Sequence, residues 1–193
     1  TINFIMEIER LEFIDAIQHL ADRYKIELNI ENMGGQSRDV RTQLIDLHEK
    51  TSQIYQNNLT TKEGNKIQAH LAKRGITSKT IEKFRLGYSL KQSDSLLKQI
   101  RAMGEKAEVM QQSGLFIDTK QGYIDRFRGR IMFSIADASG KIIAFAGRVF
   151  ESDDPAKYIN SPETPIYNKS RILYGLHESK QAIRQKESVI VVE

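Results

Sequence analysis

The 193-residue chain has no cysteine, no tryptophan, three prolines and four histidines. Without cysteine there is neither a disulfide framework nor a thiolate zinc site, and His19, His48, His70 and His177 are too scattered for metal-ligand spacing. No apolar run approaches the roughly 18 residues of a membrane span. The opening Thr1-Ile2-Asn3-Phe4-Ile5-Met6-Glu7 lacks the charged-then-apolar pattern of a secretory signal. A cytoplasmic location with no membrane contact is therefore expected. Wholesale disorder is excluded as well: 39% of the residues are hydrophobic and the mean hydropathy is −0.47, which leaves enough apolar surface to bury a core.

Charge is small in total and uneven along the chain. The net +4 divides into +1 over residues 1–119, +3 over 120–171 and zero over 172–193. A sequence pI near 9.2 is compatible with a polyanionic partner but does not by itself select one.

The first half reads as helix. Ile14, Ile17, Ala21 and Tyr24 recur at helical steps, Lys25–Ile30 alternates like a short extended segment, and Asn32-Met33-Gly34-Gly35-Gln36-Ser37 has the composition of a flexible linker. From a capping Asp39, Leu44, Leu47, Thr51, Ile54 and Asn58 form the next stripe. Shorter helices are expected over 62–74, from Thr77 or Ser78 through Phe84, over Ser95–Met103 and over Glu105–Gln112, with Gly75, Gly104 and Gly114 as stops. After residue 114 the period changes. Leu115–Ile117, Ile131–Ala136 and Lys141–Phe150 read as strands, and Asp137-Ala138-Ser139-Gly140 joins the last two as a hairpin. Residues 151–170 hold all three prolines and read as an irregular loop. Leu176–Lys186 reads as a helix, and Ser188-Val189-Ile190-Val191-Val192 as a strand buried on both faces, the opening of a domain whose remainder lies beyond Glu193.

Three segments carry chemistry. Asp125-Arg126-Phe127-Arg128-Gly129-Arg130 spaces three guanidinium groups two residues apart, so an extended backbone projects them to one side, where they suit phosphate or guard an exposed strand edge. Arg148 follows Phe145-Ala146-Gly147, whose small residues let a ligand approach the backbone. Lys157-Tyr158-Ile159-Asn160-Ser161-Pro162-Glu163-Thr164 combines a cation, an aromatic face, an amide and a hydroxyl, the groups that hold a nucleotide, and Lys169 adds a further cation. Glu193, at the end of a parallel-type strand, stands where open α/β sheets bind ligands and metals, but one carboxylate is not an active site.

Taken together with Leu173-Tyr174-Gly175-Leu176 and Val191-Val192-Glu193, these segments resemble the bacterial DnaG-type DNA primases, most closely over residues 122–193. Weaker similarity reaches back through Leu71-Ala72-Lys73-Arg74-Gly75-Ile76 to the opening helices. Two departures from the family pattern are Ser134 in place of a usual proline and Ala146 in place of a common glycine.

The resemblance implies an α+β fold: a helical N-terminal half, then a small mixed or antiparallel sheet, then the first strand of a truncated α/β TOPRIM domain. The implied divisions are residues 1–31, a helical segment after an absent zinc-binding domain; 38–187, the N-terminal subdomain of the primase catalytic core; and 188–193, the TOPRIM strand. It further implies DNA-directed synthesis of short RNA primers. Arg148, Lys157 and Lys169 would be catalytic-face cations that also meet DNA and nucleotide, Asn160 would hold a nucleotide, and Arg126 and Arg130 would support the basic surface. Glu193 would be the catalytic and metal-site carboxylate for Mg²⁺ or Mn²⁺, in company with carboxylates absent from this chain. Zn²⁺ would belong only to the upstream domain. The implied partners are single-stranded DNA template, nucleoside triphosphates, RNA primer and, through a further C-terminal domain, the replicative helicase. No heptad or exposed apolar stripe points to a dimer, so a monomer is expected, and primer synthesis by this chain alone is not. A non-catalytic single-strand-binding module and a phage-type primase-helicase are the alternatives.

Overall fold

The computed structural model describes residues 2–9, 13–26, 35–151 and 154–192. Two helices, α1 (Ile2–Glu9) and α2 (Phe13–Tyr24), precede the long helix α3 (Gly35–Asn58). Of the α2 stripe, Ala21 is buried whereas Tyr24 faces solvent. The extended segment expected over 25–30 and the first part of the expected linker fall largely outside the described residues. Gly35, Gln36 and Ser37 are not linker but the first turn of α3, so Asp39 lies inside the helix rather than capping it. Once a helix is held by packing, each added residue gains a hydrogen bond without a new nucleation cost, which outweighs weak local propensity.

The α3 stripe becomes the spine of the molecule. Leu44, Leu47, Thr51 and Ile54 are buried, as are His48, Ser52 and Tyr55 beside them. At the end of the helix, the Asn58 amide donates to the Tyr88 carbonyl at 2.8 Å. Helices α4 (Lys62–Lys73) and α5 (Ser78–Lys83) begin at Thr61 and Thr77, whose hydroxyls accept from Gly64 and Thr80 N–H groups, a contribution of about 1 kcal/mol per cap. Helices α6 (Ser95–Ala102) and α7 (Ala107–Gln112) follow, and Gly75, Gly104 and Gly114 take positive φ at or near the helix ends as expected.

The sheet is antiparallel. Strands β1 (Leu86–Ser89), β4 (Arg130–Ala136), β5 (Ile142–Val149) and β6 (Tyr158–Asn160) run in the order β1-β4-β5-β6, and β2 (Phe116–Thr119) pairs with β3 (Gly122–Asp125) as a separate hairpin. The turn joining β4 to β5 is as expected: the Asp137 carboxylate accepts from the N–H groups of Ser139 and Lys141. Strands β1, β3 and β6 form where the sequence pattern shows none, and β6 lies inside the proline-containing segment that reads as an irregular loop.

Strand alternation gives the four-stranded sheet two faces. The inner face rests on α3. Phe145 is fully buried, stacks on His48 at 5.7 Å and meets Tyr55 edge-on at 5.3 Å. Burial pushes His48 down to about 4, so it is a neutral core residue whose ring N–H donates to the Leu44 carbonyl. Gly87 is required here, because a Cβ would stand 2.6 Å from the Tyr55 backbone. Ser134 on this face shares a hydrogen bond with Ser52 and donates to the Arg85 carbonyl, so the hydroxyl links β4 to α3 and to the start of β1. On the outer face, Leu86, Tyr88 and Ile131 form a second core with Ile67 and Leu71 of α4, against which Ile81 and Phe84 pack.

Helix α8 (Leu176–Lys186) forms as expected, and Lys180 and Arg184 on it pair with Glu9 of α1. Residues 188–192 form no strand and are exposed, Ile190 at 89%. A strand exists only through a hydrogen-bonded neighbour, and among the described residues this segment has none; its apolar pattern records what it can bury, not what it buries here. Among the described residues, no helix is long and apolar enough to cross a membrane.

Candidate nucleic-acid interface

The β5–β6 pairing sets Arg148 opposite Tyr158 and Ala146 opposite Asn160, so Arg148, Tyr158 and Asn160 share the outer face. Helices α4 and α5 cover this face over β1 and β4 but leave this corner open. Tyr158 is 58% exposed, Asn160 is exposed and Arg148 is half-buried. The Arg148 guanidinium lies over the Tyr158 ring, 5.6 Å from its centroid, a cation–π geometry.

Strand β6 is only three residues long, and it is fastened at both ends. At its close, the Ser161 hydroxyl accepts from Phe145 N–H at 3.0 Å while Ser161 N–H donates to the Phe145 carbonyl at 2.8 Å. At its start, Arg130 donates to the Ala156 carbonyl at 2.9 Å and pairs with Asp154, whose other oxygen accepts from Ala156 N–H. Lys157, exposed, comes between that clamp and Tyr158, and its carbonyl accepts from Val149 N–H, one register step beyond the Arg148–Tyr158 pair. By alternation it falls on the side opposite Tyr158.

The three arginines of the 125–130 segment do converge, although not as a free comb. Together with Ile117, Asp154, Ala156 and Ile159 they line an open cavity of about 240 Å³. The turn into β4 needs Gly129 at φ +61°. Arg126 Nε donates to the Gly114 carbonyl at 2.9 Å, and its partial burial lowers its pKa. Arg128 donates to the Asp125 carbonyl. Arg130 is 3% exposed and spends its donors on Ala156, Gly147 and Asp154, which makes it a positioning residue for the β6 strand rather than a surface cation.

Lys169 sits in a separate short 3₁₀ turn, Lys169–Arg171, exposed, with its backbone N–H donating to Glu163 at 2.9 Å. The predicted residues thus divide into Arg148 with Asn160 on the outer face, Arg126 with Arg130 at the cavity, and Lys157 and Lys169 on connecting segments. Glu193 lies outside the described residues. Among the described residues no three His, Asp or Glu converge as metal donors.

Two residues outside the predicted set matter locally. Tyr158 is the aromatic surface on which the outer-face group is built; its signal in sequence was an aromatic between Lys157 and Asn160. Asp154 is the partner of Arg130, and no local pattern pairs residues 24 positions apart. Asp125, by contrast, serves the fold. Its two carboxylate oxygens accept from Leu96 and Leu97 N–H at 2.7 and 2.9 Å, capping α6, where the preceding Asp94 makes no side-chain cap. Burial pushes its pKa up to about 6 against those two hydrogen bonds.

A helix-backed antiparallel sheet with a cationic, aromatic corner is the class of structure these elements define. The family model for the DNA primase catalytic core, N-terminal domain, matches residues 54–180, and the chain belongs to that family. It is 35% identical to the DNA primase of Salmonella typhimurium over 196 residues, covering all of this chain and 34% of that protein. It is 37% identical to the DNA primase of Streptomyces coelicolor over 198 residues, covering 31% of that protein. The chain thus spans about one third of the length of the curated relatives it matches. Among solved structures, a DnaG primase catalytic domain bound to single-stranded DNA is similar with a TM-score of 0.68 and 36% identity, over 75% of this chain and 45% of that one. The RNA polymerase domain of the Mycobacterium tuberculosis primase, in complex with double-stranded DNA carrying a 6-nucleotide overhang, has a TM-score of 0.74 and 28% identity over 79% of this chain and 48% of that one.

Proposed function

We propose that this chain is the part of a cytoplasmic DNA primase that holds single-stranded template and nucleoside triphosphate while short RNA primers are made. The observation that carries the reading is the open outer-face corner, where Arg148, Tyr158 and Asn160 are brought together in a member of this family. Arg148, Lys157 and Lys169 supply cations for phosphate, and Asn160 supplies an amide for a nucleotide. Arg126 flanks the cavity beneath, and Arg130 fixes the backbone that presents Lys157 and Tyr158. The remaining chemistry, phosphoryl transfer at Mg²⁺ or Mn²⁺ with Glu193 among the acidic groups, belongs to the whole protein, as do contacts with the RNA primer and the replicative helicase. The chain by itself is expected to make no primers.

The test is single-stranded DNA binding by fluorescence anisotropy across a salt series, comparing the wild type with a variant carrying Arg148→Ala, Lys157→Ala and Lys169→Ala. Each lost phosphate contact flattens the logarithmic salt slope by about 0.7, so the triple variant is expected to lose about 2. An unchanged slope and affinity in a variant that melts like the wild type would refute the template path.

A further inference from the structure

We propose that the contact between α1 and α8 is an electrostatic latch: Glu9, gripped by Lys180 and Arg184, holds α1 docked on α8, and losing that grip lets α1 leave while α3 and the sheet stay folded. The latch goes beyond the nucleic-acid reading above and does not depend on it.

Local rules speak against Glu9 where it stands. It is the last residue of α1, where the helix dipole favours a cation and disfavours a carboxylate. The compensation comes from the far end of the chain. The Glu9 side chain is 12% exposed, and one carboxylate oxygen accepts from Arg184 at 3.1 Å while the other pairs with Lys180. Lys180 and Arg184 are four residues apart on α8, so they stand side by side on one face. Burial, and after it the charge of Arg184, lowers the Lys180 pKa, in keeping with two cations drawn together on one carboxylate.

The hydrophobic hold between the two helices is weak. Among the described residues neither α1 nor α8 has a fully buried side chain, and Phe4 and Ile8 of α1 face solvent. The start of α8 is nevertheless fixed. Tyr174, just before it, lies 6.2 Å from the rings of both Phe84 and Phe133. His177, in its first turn, has a ring nitrogen 3.3 Å from the Ala138 carbonyl and rests against Gly140, where a Cβ would stand 2.6 Å from the ring. The dock is therefore anchored, and α1 is the part free to leave. Departure of Glu9 sets two like charges four residues apart on α8, which destabilises the second half of that helix. Release of α1 is thereby coupled to loosening of the element that leads to residues 188–192.

The experiment is amide hydrogen exchange on the whole chain, read separately over α1, α8 and α3. It compares the wild type, Glu9→Gln and a charge-reversed triple variant carrying Glu9→Lys, Lys180→Glu and Arg184→Glu. Salt is raised from about 0.01 M, where the screening length is about 30 Å, to about 1 M, where it is about 3 Å. At low salt Glu9→Gln is expected to exchange on the order of 2- to 30-fold faster over α1 and the second half of α8, two pairs each shifting the equilibrium by about 1.4- to 5-fold, with α3 unchanged. A neutral residue suits a helix C-terminus better than a carboxylate, so a loss of helix propensity would not give that result. The wild type reaches the same acceleration through salt alone, and the reversed variant regains wild-type protection at low salt. The latch is overturned if wild-type exchange over α1 is indifferent to salt, if Glu9→Gln exchanges like the wild type, or if the reversed variant stays as open as Glu9→Gln. Acceleration over α3 in step with α1 would overturn it too, because the contact would then be part of the global fold.

Discussion

The two faces of the four-stranded sheet are made from the same strands, yet they differ in what the side chains are spent on. On the inner face Phe145, Met132 and Ser134 close against α3, and even a polar hydroxyl there has two partners inside the protein. On the outer face the β1 and β4 side chains are covered by α4 and α5, but Arg148, Tyr158 and Asn160 on β5 and β6 are not. The contrast shows that the corner proposed to bind nucleic acid is the part of the sheet that the helices leave uncovered, and that the strand presenting it is fixed from the other side by Arg130 and Ser161.

The widest departure between the faces is expected at Phe145. Phe145→Ala empties a site ringed by His48, Tyr55 and Phe127 and should cost about 3–5 kcal/mol in urea unfolding, more than any single change at the open corner. A loss below about 1 kcal/mol would mean that the inner face is not the stabilising one.

Protonation of Asp125 sharpens the same contrast within the interior. Its native pKa of about 6 stands above the ordinary 3.8, so the native state holds the proton more tightly than the unfolded state. Its contribution to stability is therefore present in full below about pH 3.8 and is lost as pH rises through about 6. At about 1.4 kcal/mol per pKa unit, the stability of the wild type relative to Asp125→Asn should fall by on the order of 2 kcal/mol between pH 4 and pH 7. Denaturant midpoints of the two proteins that move in parallel across that range would contradict it.

The smallest effect tests the link between the faces. Asp154→Ala removes the carboxylate partner of the nearly buried Arg130 while leaving its carbonyl acceptors, and should cost about 1 kcal/mol because Asp154 itself is partly solvated. Single-stranded DNA affinity should fall with it, since the backbone at Ala156 that leads to Lys157 and Tyr158 loosens. Weaker binding in Asp154→Ala with unaltered stability would place Asp154 at the ligand rather than at the clamp.

Much of the helical half was legible because long amphipathic periods report burial directly: Leu44, Leu47, Thr51 and Ile54 are inside as their spacing requires. The strands without a legible sequence pattern are short. Leu86-Gly87-Tyr88-Ser89 is buried at every position and has no alternation to read, and Tyr158–Asn160 is three residues among prolines. Both exist because β4 and β5 offer ladders to pair with. The reverse holds at 188–192, where a strongly strand-like composition finds no ladder among the described residues and stays exposed.

The sequence by itself determined the chemical inventory: the arginines of 125–130, Arg148, and the cation, aromatic and amide of 157–160, in an order that marks the family. Tertiary structure alone decided their division of labour. Register between β5 and β6 put Arg148 beneath Tyr158 and set Asn160 on the same face, while a contact across 24 residues took Arg130 out of solvent and into a clamp. Side-chain type is a local property, but which face a strand residue occupies and which charge finds a partner depend on residues remote in the chain, because pairing and burial are properties of the folded assembly of strands.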